Sequence, residues 1–170
     1  WEIKNIPSQT TEVFAPVFNG NLPYLMVAPS DFEAQGYSGN MSSWGNLGNF
    51  IYQLKKGRDV LPDDTKKEVH TLTDNLKDPK EKIKVLYDFL QKNTHYISIQ
   101  LGIGGLQPFD ASYVANKKYG DCKALSNYMG SLLKEAGIAA KYVAIRAPEN
   151  AEQIITDGPD TGKFNHGICC

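Results

Sequence analysis

The chain has 170 residues, of which 41% are hydrophobic and 22% charged, and it carries a net charge of −1. That length and composition suit one globular domain with its own core. The balanced charge, with no Lys/Arg run, leaves nucleic-acid binding without an electrostatic footprint, and no apolar stretch reaches the length of a bilayer span.

No signal-peptide pattern is visible. Because the chain begins with Trp1, it reads as a fragment or a processed product. Its cysteines are Cys122, Cys169 and Cys170. An odd count with two neighbours is no disulfide framework, and without a CxxC spacing a structural zinc site lacks support.

Residues 1–40 are cut by Pro7, Pro16, Pro23 and Pro29. Proline breaks helices and central strands, so this stretch is predicted to be an extended arm with one or two edge strands, the best of them over 24–27. In "SSWGNLGNFIYQLKKG", Ser42 or Ser43 caps a helix whose inner face carries Trp44, Leu47, Ile51 and Leu54. A second helix is predicted over 64–76, with Val69, Leu72 and Leu76 inward. Asp78, Pro79 and Glu81 then form a helix start, followed by the stripe Ile83, Leu86, Phe89 and Leu90.

"HYISIQ" alternates and predicts a short strand over 95–100. "LGIGGLQPFDASYVANKKYGD" reads as a loop holding a short helix over 111–116. The glycines at 102–105 lack the Gly-Lys-Ser/Thr of a phosphate loop and read as cleft wall. A long helix starts at Cys122. Its positions Leu125, Tyr128, Met129, Leu132, Leu133 and Ala136 form a wide apolar face, and Gly137 stops it. "AAKYVAIR" is a strand, a long polar loop follows, and "FNHGICC" is the returning strand.

Most free cysteines are small buried hydrophobes, and Cys122 has that reading too. Its position offers another. Asp121 is a natural N-cap, which puts Cys122 in the first helical turn, where unpaired N–H groups and the helix dipole favour negative charge. Such termini recur around reactive thiolates and can stabilise an oxyanion. A nucleophilic thiol needs a base. His70 lies on a polar helix and His95 heads a strand. His166 lies on the returning strand, and consecutive elements are usually neighbours, so it is best placed to meet the thiol. A hydrogen-bonded strand histidine is its plainer reading.

"YGDCKALSNYMGSLLKEAGIAAKYVAIR" followed by "FNH" resembles the core of the transglutaminase-like superfamily. The upstream segments "SSWGNLGNFIYQL", "EKIKVLYDFLQKNTHYISIQLGIGGLQPFDASYV" and "WEIKNIPS" are similar to a bacterial subgroup with an N-terminal β-domain. The resemblance implies an α+β, papain-like fold, in which a helix bearing the Cys packs on an antiparallel sheet bearing the His. It implies a core over 41–170, with 1–40 as an arm from a preceding β-domain. It further implies acyl transfer or hydrolysis at a peptide or glutamine amide through a thioester. Cys122 would be the nucleophile and His166 the base, no cofactor or metal is required, and the partner is a protein or peptide substrate. A periplasmic or cell-envelope setting is implied in the same way.

The family's third residue is an Asp on the strand after the His. This sequence stops at Cys170, so that part of the sheet is expected to be missing, and Asp157, Asp160 and Asp121 do not match the motif. The alternative function is therefore a catalytically inactive module that binds peptide or glycan in the same cleft. Gly167, after the His, stands where an apolar residue is more usual. Gln107 lies in the loop expected to flank the cleft and could donate to an oxyanion, or be a plain surface glutamine. Trp44 and Tyr119 are candidates for lining the groove, and Trp44, which starts an apolar helical stripe, reads first as core. A metal site from Cys122, His166 and Cys170 ranks last, because residues 166 and 170 of one strand lie about 13 Å apart.

Overall fold

The computed structural model describes residues 2–8, 13–14, 27–147, 158–159 and 164–170. Most of the strand predicted over 24–27 and most of the polar loop before Phe164 fall outside them. Within the described residues the architecture is mixed α+β: five α-helices and three two-stranded ladders.

The helix with the widest apolar face is the spine. It is α5, Cys122–Glu135, and it buries Tyr128, Leu132 and Leu133. Around it pack α2 (Asp63–Thr73), α3 (Pro79–Asn93) and α4 (Ala111–Lys117), contributing Val69, Leu86 and Val114. Each surrounding helix is apolar on one stripe only, so each can bury itself only against a neighbour.

A second, smaller core lies to one side. Helix α1, Trp44–Lys55, is capped by Ser43, whose hydroxyl accepts from the Asn46 amide at 3.1 Å. It buries Leu47, Phe50 and Leu54 against a hairpin of β1 (Asp31–Ala34) and β2 (Tyr37–Asn40). Phe32 meets Phe50 edge-on at 4.8 Å. Across the hairpin, Phe32 also lies over Gly39, where a Cβ would come within 2.3 Å of its ring. Gln35 and Gly36 both have positive φ, the backbone of a tight two-residue hairpin turn. This hairpin falls inside the 1–40 stretch read as an arm. Its "QG" turn is a weaker signal than Asn-Gly or Asp-Gly, and its inner face is a short set of Phe32, Ala34 and Tyr37.

The remaining ladders flank α5. Strand β3, His95–Tyr96, pairs in parallel with β4, Tyr119–Gly120. The strand predicted over 95–100 shortens to these two residues because β4 must end where α5 begins. Gly120 is buried, and a Cβ there would lie 3.0 Å from that of Ala124. Strands β5 (Tyr142–Ile145) and β6 (His166–Cys169) pair antiparallel, with Ile145 opposite His166. Helix α2 ends at Thr73 rather than 76. The Thr73 hydroxyl turns back to the Val69 carbonyl at 2.8 Å, a bond that weakens helix continuation. No helix among the described residues is long and apolar enough to cross a membrane.

Leu132 is fully buried at the centre of this packing. Leu132→Ala is expected to lower unfolding free energy by about 2–5 kcal/mol. Tyr87→Ala, at a half-exposed position, should stay within about 0.5 kcal/mol. Urea denaturation followed by circular dichroism measures both.

Candidate active site

The start of α5 is built from three consecutive residues. Asp121 is 2% exposed, and its Oδ1 accepts from the Ala124 amide at 2.9 Å, the N-cap bond expected from the sequence. Its second oxygen holds the ammonium of Lys123, itself buried. Between them Cys122 occupies the first turn and is free and almost fully buried. A helix N-terminus with its amides directed at this point is a favourable setting for a charged sulfur or an oxyanion.

Strand β6 is held beside this turn from both ends. The Ser126 hydroxyl, one turn into α5, donates to the Gly167 carbonyl at 3.0 Å. On the other side Asn165 accepts from the Ala147 amide at 2.8 Å and donates to its carbonyl, locking the approach to His166 onto the end of β5. His166 is exposed and opens onto a cavity of about 370 Å³ that Cys122 also lines. The thiol-bearing turn and the imidazole-bearing strand thus share one cleft.

The opposite wall is apolar. Trp44 and Leu47 of α1 line it, with Leu106 and Phe164. The Trp44 and Phe164 rings meet edge-on at 6.1 Å. Trp44, read as core from the helical stripe, is instead 40% exposed and faces the cleft. As the first residue of α1 it projects past the small core that Leu47 and Phe50 close.

Gln107 does not reach the cleft. Its amide donates to the Tyr37 hydroxyl at 2.9 Å and to the Leu54 carbonyl at 3.1 Å, so it ties the loop to the hairpin and to α1. Gln100, from the same loop, lines the cavity. Tyr119 lies outside the cavity wall as well: it is half-exposed and packs on the His95 ring at 5.2 Å. His70 bridges α2 to α5 through Asp74 at 2.9 Å and Glu135 at 3.3 Å. Its hydrogen bond to Asp74, ahead of the charges, raises its pKa.

Sequence reasoning missed two phenols. Burial raises the Tyr96 phenol, and Cys122 and Asp121 raise it further, the hydroxyl lying within reach of the Cys122 amide and thiol. Tyr142 lines the cavity, and burial, reinforced by the same two residues, pushes it up to about 12. Both fall within the segments that carry the family resemblance, but no capping or spacing rule singles either out. Their only trace in the sequence is an aromatic on a strand beside the Cys-bearing helix.

The Asp121 carboxylate is expected to matter more as a counter-charge than as a cap. Asp121→Asn retains the cap acceptor but leaves Lys123 buried and unpaired, so the loss should approach the about 3–5 kcal/mol of a broken buried pair. A lost cap alone costs about 1 kcal/mol. Adding Lys123→Met should restore most of the stability in thermal or urea unfolding.

Comparison with known proteins agrees with this geometry. The model of the transglutaminase-like superfamily matches residues 66–166. A crystal structure of a candidate protease from Parabacteroides distasonis superposes with a TM-score of 0.56 over 70% of this chain, at 19% identity. This chain spans 23% of that protein's length. At such identity the likeness concerns the fold. No curated protein matches the chain. By the extent of the family match, which covers more than half of it, this chain belongs to the transglutaminase-like superfamily.

Proposed function

We propose that the cleft carries cysteine-dependent acyl transfer or hydrolysis at a peptide or glutamine amide, with Cys122 as nucleophile and His166 as base. The observation that carries this reading is the single cavity lined by both residues, with Cys122 in the first turn of a capped helix. His166 takes the thiol proton as Sγ attacks the carbonyl carbon. The oxyanion forms where the α5 amides point. When it collapses, the C–N bond breaks, the leaving amine takes the proton from His166, and a thioester remains on Cys122. An amine or water then attacks the thioester, giving a new amide or an acid and restoring the thiol. The apolar wall of Trp44 and Phe164 suits a peptide with a hydrophobic residue near the reacting bond.

A non-catalytic peptide-binding cleft is the second reading. The exposed His166 ring and the diversion of Gln107 to Tyr37 favour it.

The test is acylation by p-nitrophenyl acetate, read as nitrophenolate release and as an acetyl adduct located by peptide mass spectrometry. The expected adduct is on Cys122 and is absent in Cys122→Ala. His166→Ala should slow its formation by about 10²–10⁴-fold. Acylation that ignores both changes would leave the binding reading. Trp44→Ala should weaken apparent peptide-ester affinity severalfold with little change in acetyl transfer.

A further inference from the structure

Tyr142 and Gly167 form a pair that the mechanism above leaves unused. Tyr142 opens β5, and Gly167 follows His166 in β6, diagonally across the ladder. Gly167 is buried. A Cβ built on it would lie 2.6 Å from the Tyr142 hydroxyl oxygen and 3.1 Å from Cζ. The phenol therefore lies across β6 at the one residue whose missing side chain leaves room for it. That residue is also the one whose carbonyl Ser126 ties to α5. Tyr142 is also among the residues that line the cavity shared by Cys122 and His166.

We propose that the Tyr142 hydroxyl is the side-chain donor to the oxyanion formed on the carbonyl attacked by Cys122, and that Gly167 is glycine to admit it. This rests on the acyl-transfer reading above. It fills the role that Gln107 does not, since that amide is engaged with Tyr37 and Leu54. Tyr142 is half-buried with its phenol against Gly167, so its hydrogen bond acts in a partly water-excluded setting where it is stronger than in bulk water. Tyr96 also lies near Cys122 but is 56% exposed and is not part of the cavity wall. The phenol keeps its proton throughout. Burial, then the negative charge of Cys122 and Asp121, raises its pKa, so it stays a donor across the working pH range. As the tetrahedral adduct forms, negative charge gathers on the former carbonyl oxygen and the Tyr142 O–H points at it. When the adduct collapses, that charge returns to the C=O and the leaving group departs from carbon.

The experiment measures p-nitrophenyl acetate acylation and iodoacetamide alkylation of Cys122 side by side. Alkylation needs the thiolate but forms no oxyanion. Tyr142→Phe keeps the ring and removes only the donor. It is expected to slow acylation by about 100-fold, the scale of a lost oxyanion donor, through kcat rather than KM, with alkylation and melting temperature unchanged. Gly167→Ala should produce a comparable acylation loss by displacing the phenol. If Tyr142→Phe acylates at the wild-type rate, or if Tyr96→Phe carries the loss instead, the proposal is overturned. If Tyr142→Phe slows alkylation and acylation alike, the phenol acts on the thiol and the oxyanion role is wrong. If the wild-type protein alkylates at Cys122 but never acylates, the acyl-transfer reading itself fails, and this proposal with it.

Discussion

The Asp121 carboxylate decides where α5 begins, and the rest of the site follows from that point. One oxygen closes the helix cap on Ala124, and the other neutralises Lys123 in a setting where neither charge could stand alone. Because the cap is here, β4 stops at Gly120 and its partner β3 stops at Tyr96. Because Cys122 is the next residue, it is held in the first turn, beneath the approach of β6. Moving the cap by one residue would rotate the thiol by roughly 100° around the helix axis, out of the cleft.

The cleft is the seam between two cores. One surrounds the middle of α5, and the other joins α1 to the β1–β2 hairpin. Cys122, His166 and Tyr142 come from the α5 side, and Trp44, Leu47 and Leu106 from the α1 side or its loop. The residues proposed to carry the chemistry therefore lie on elements anchored to the larger core, while the apolar wall belongs to the smaller one. That division suits chemistry on a rigid scaffold facing a wall that can vary with substrate.

Much of this was legible in the sequence where a local rule met an apolar period. Asp121, Asp78 and Ser43 were readable as caps because the side-chain oxygen and the following helical stripe agree. The α5 spine was readable because its apolar face is wide, and the placing of Cys122 and His166 on one cavity because helix, strand and returning strand are consecutive. What failed to show depended on contacts between distant residues. Trp44 looked like core because a stripe does not say which end of a helix is covered. Gln107 looked like a cleft donor because nothing near it in sequence reveals that Tyr37 and Leu54 take its amide. The value of Gly167 was invisible for the same reason: its partner, Tyr142, lies a full strand and loop away.

The central claim is that helix start and strand together make Cys122 a nucleophile served by His166. The most direct measurement is the rate of iodoacetamide alkylation of Cys122 across pH, in a Cys169→Ser, Cys170→Ser background, with and without His166→Ala. The central claim predicts fast alkylation of Cys122 that slows when His166 is removed. A slow reaction that follows an ordinary thiol profile and ignores His166 would contradict it.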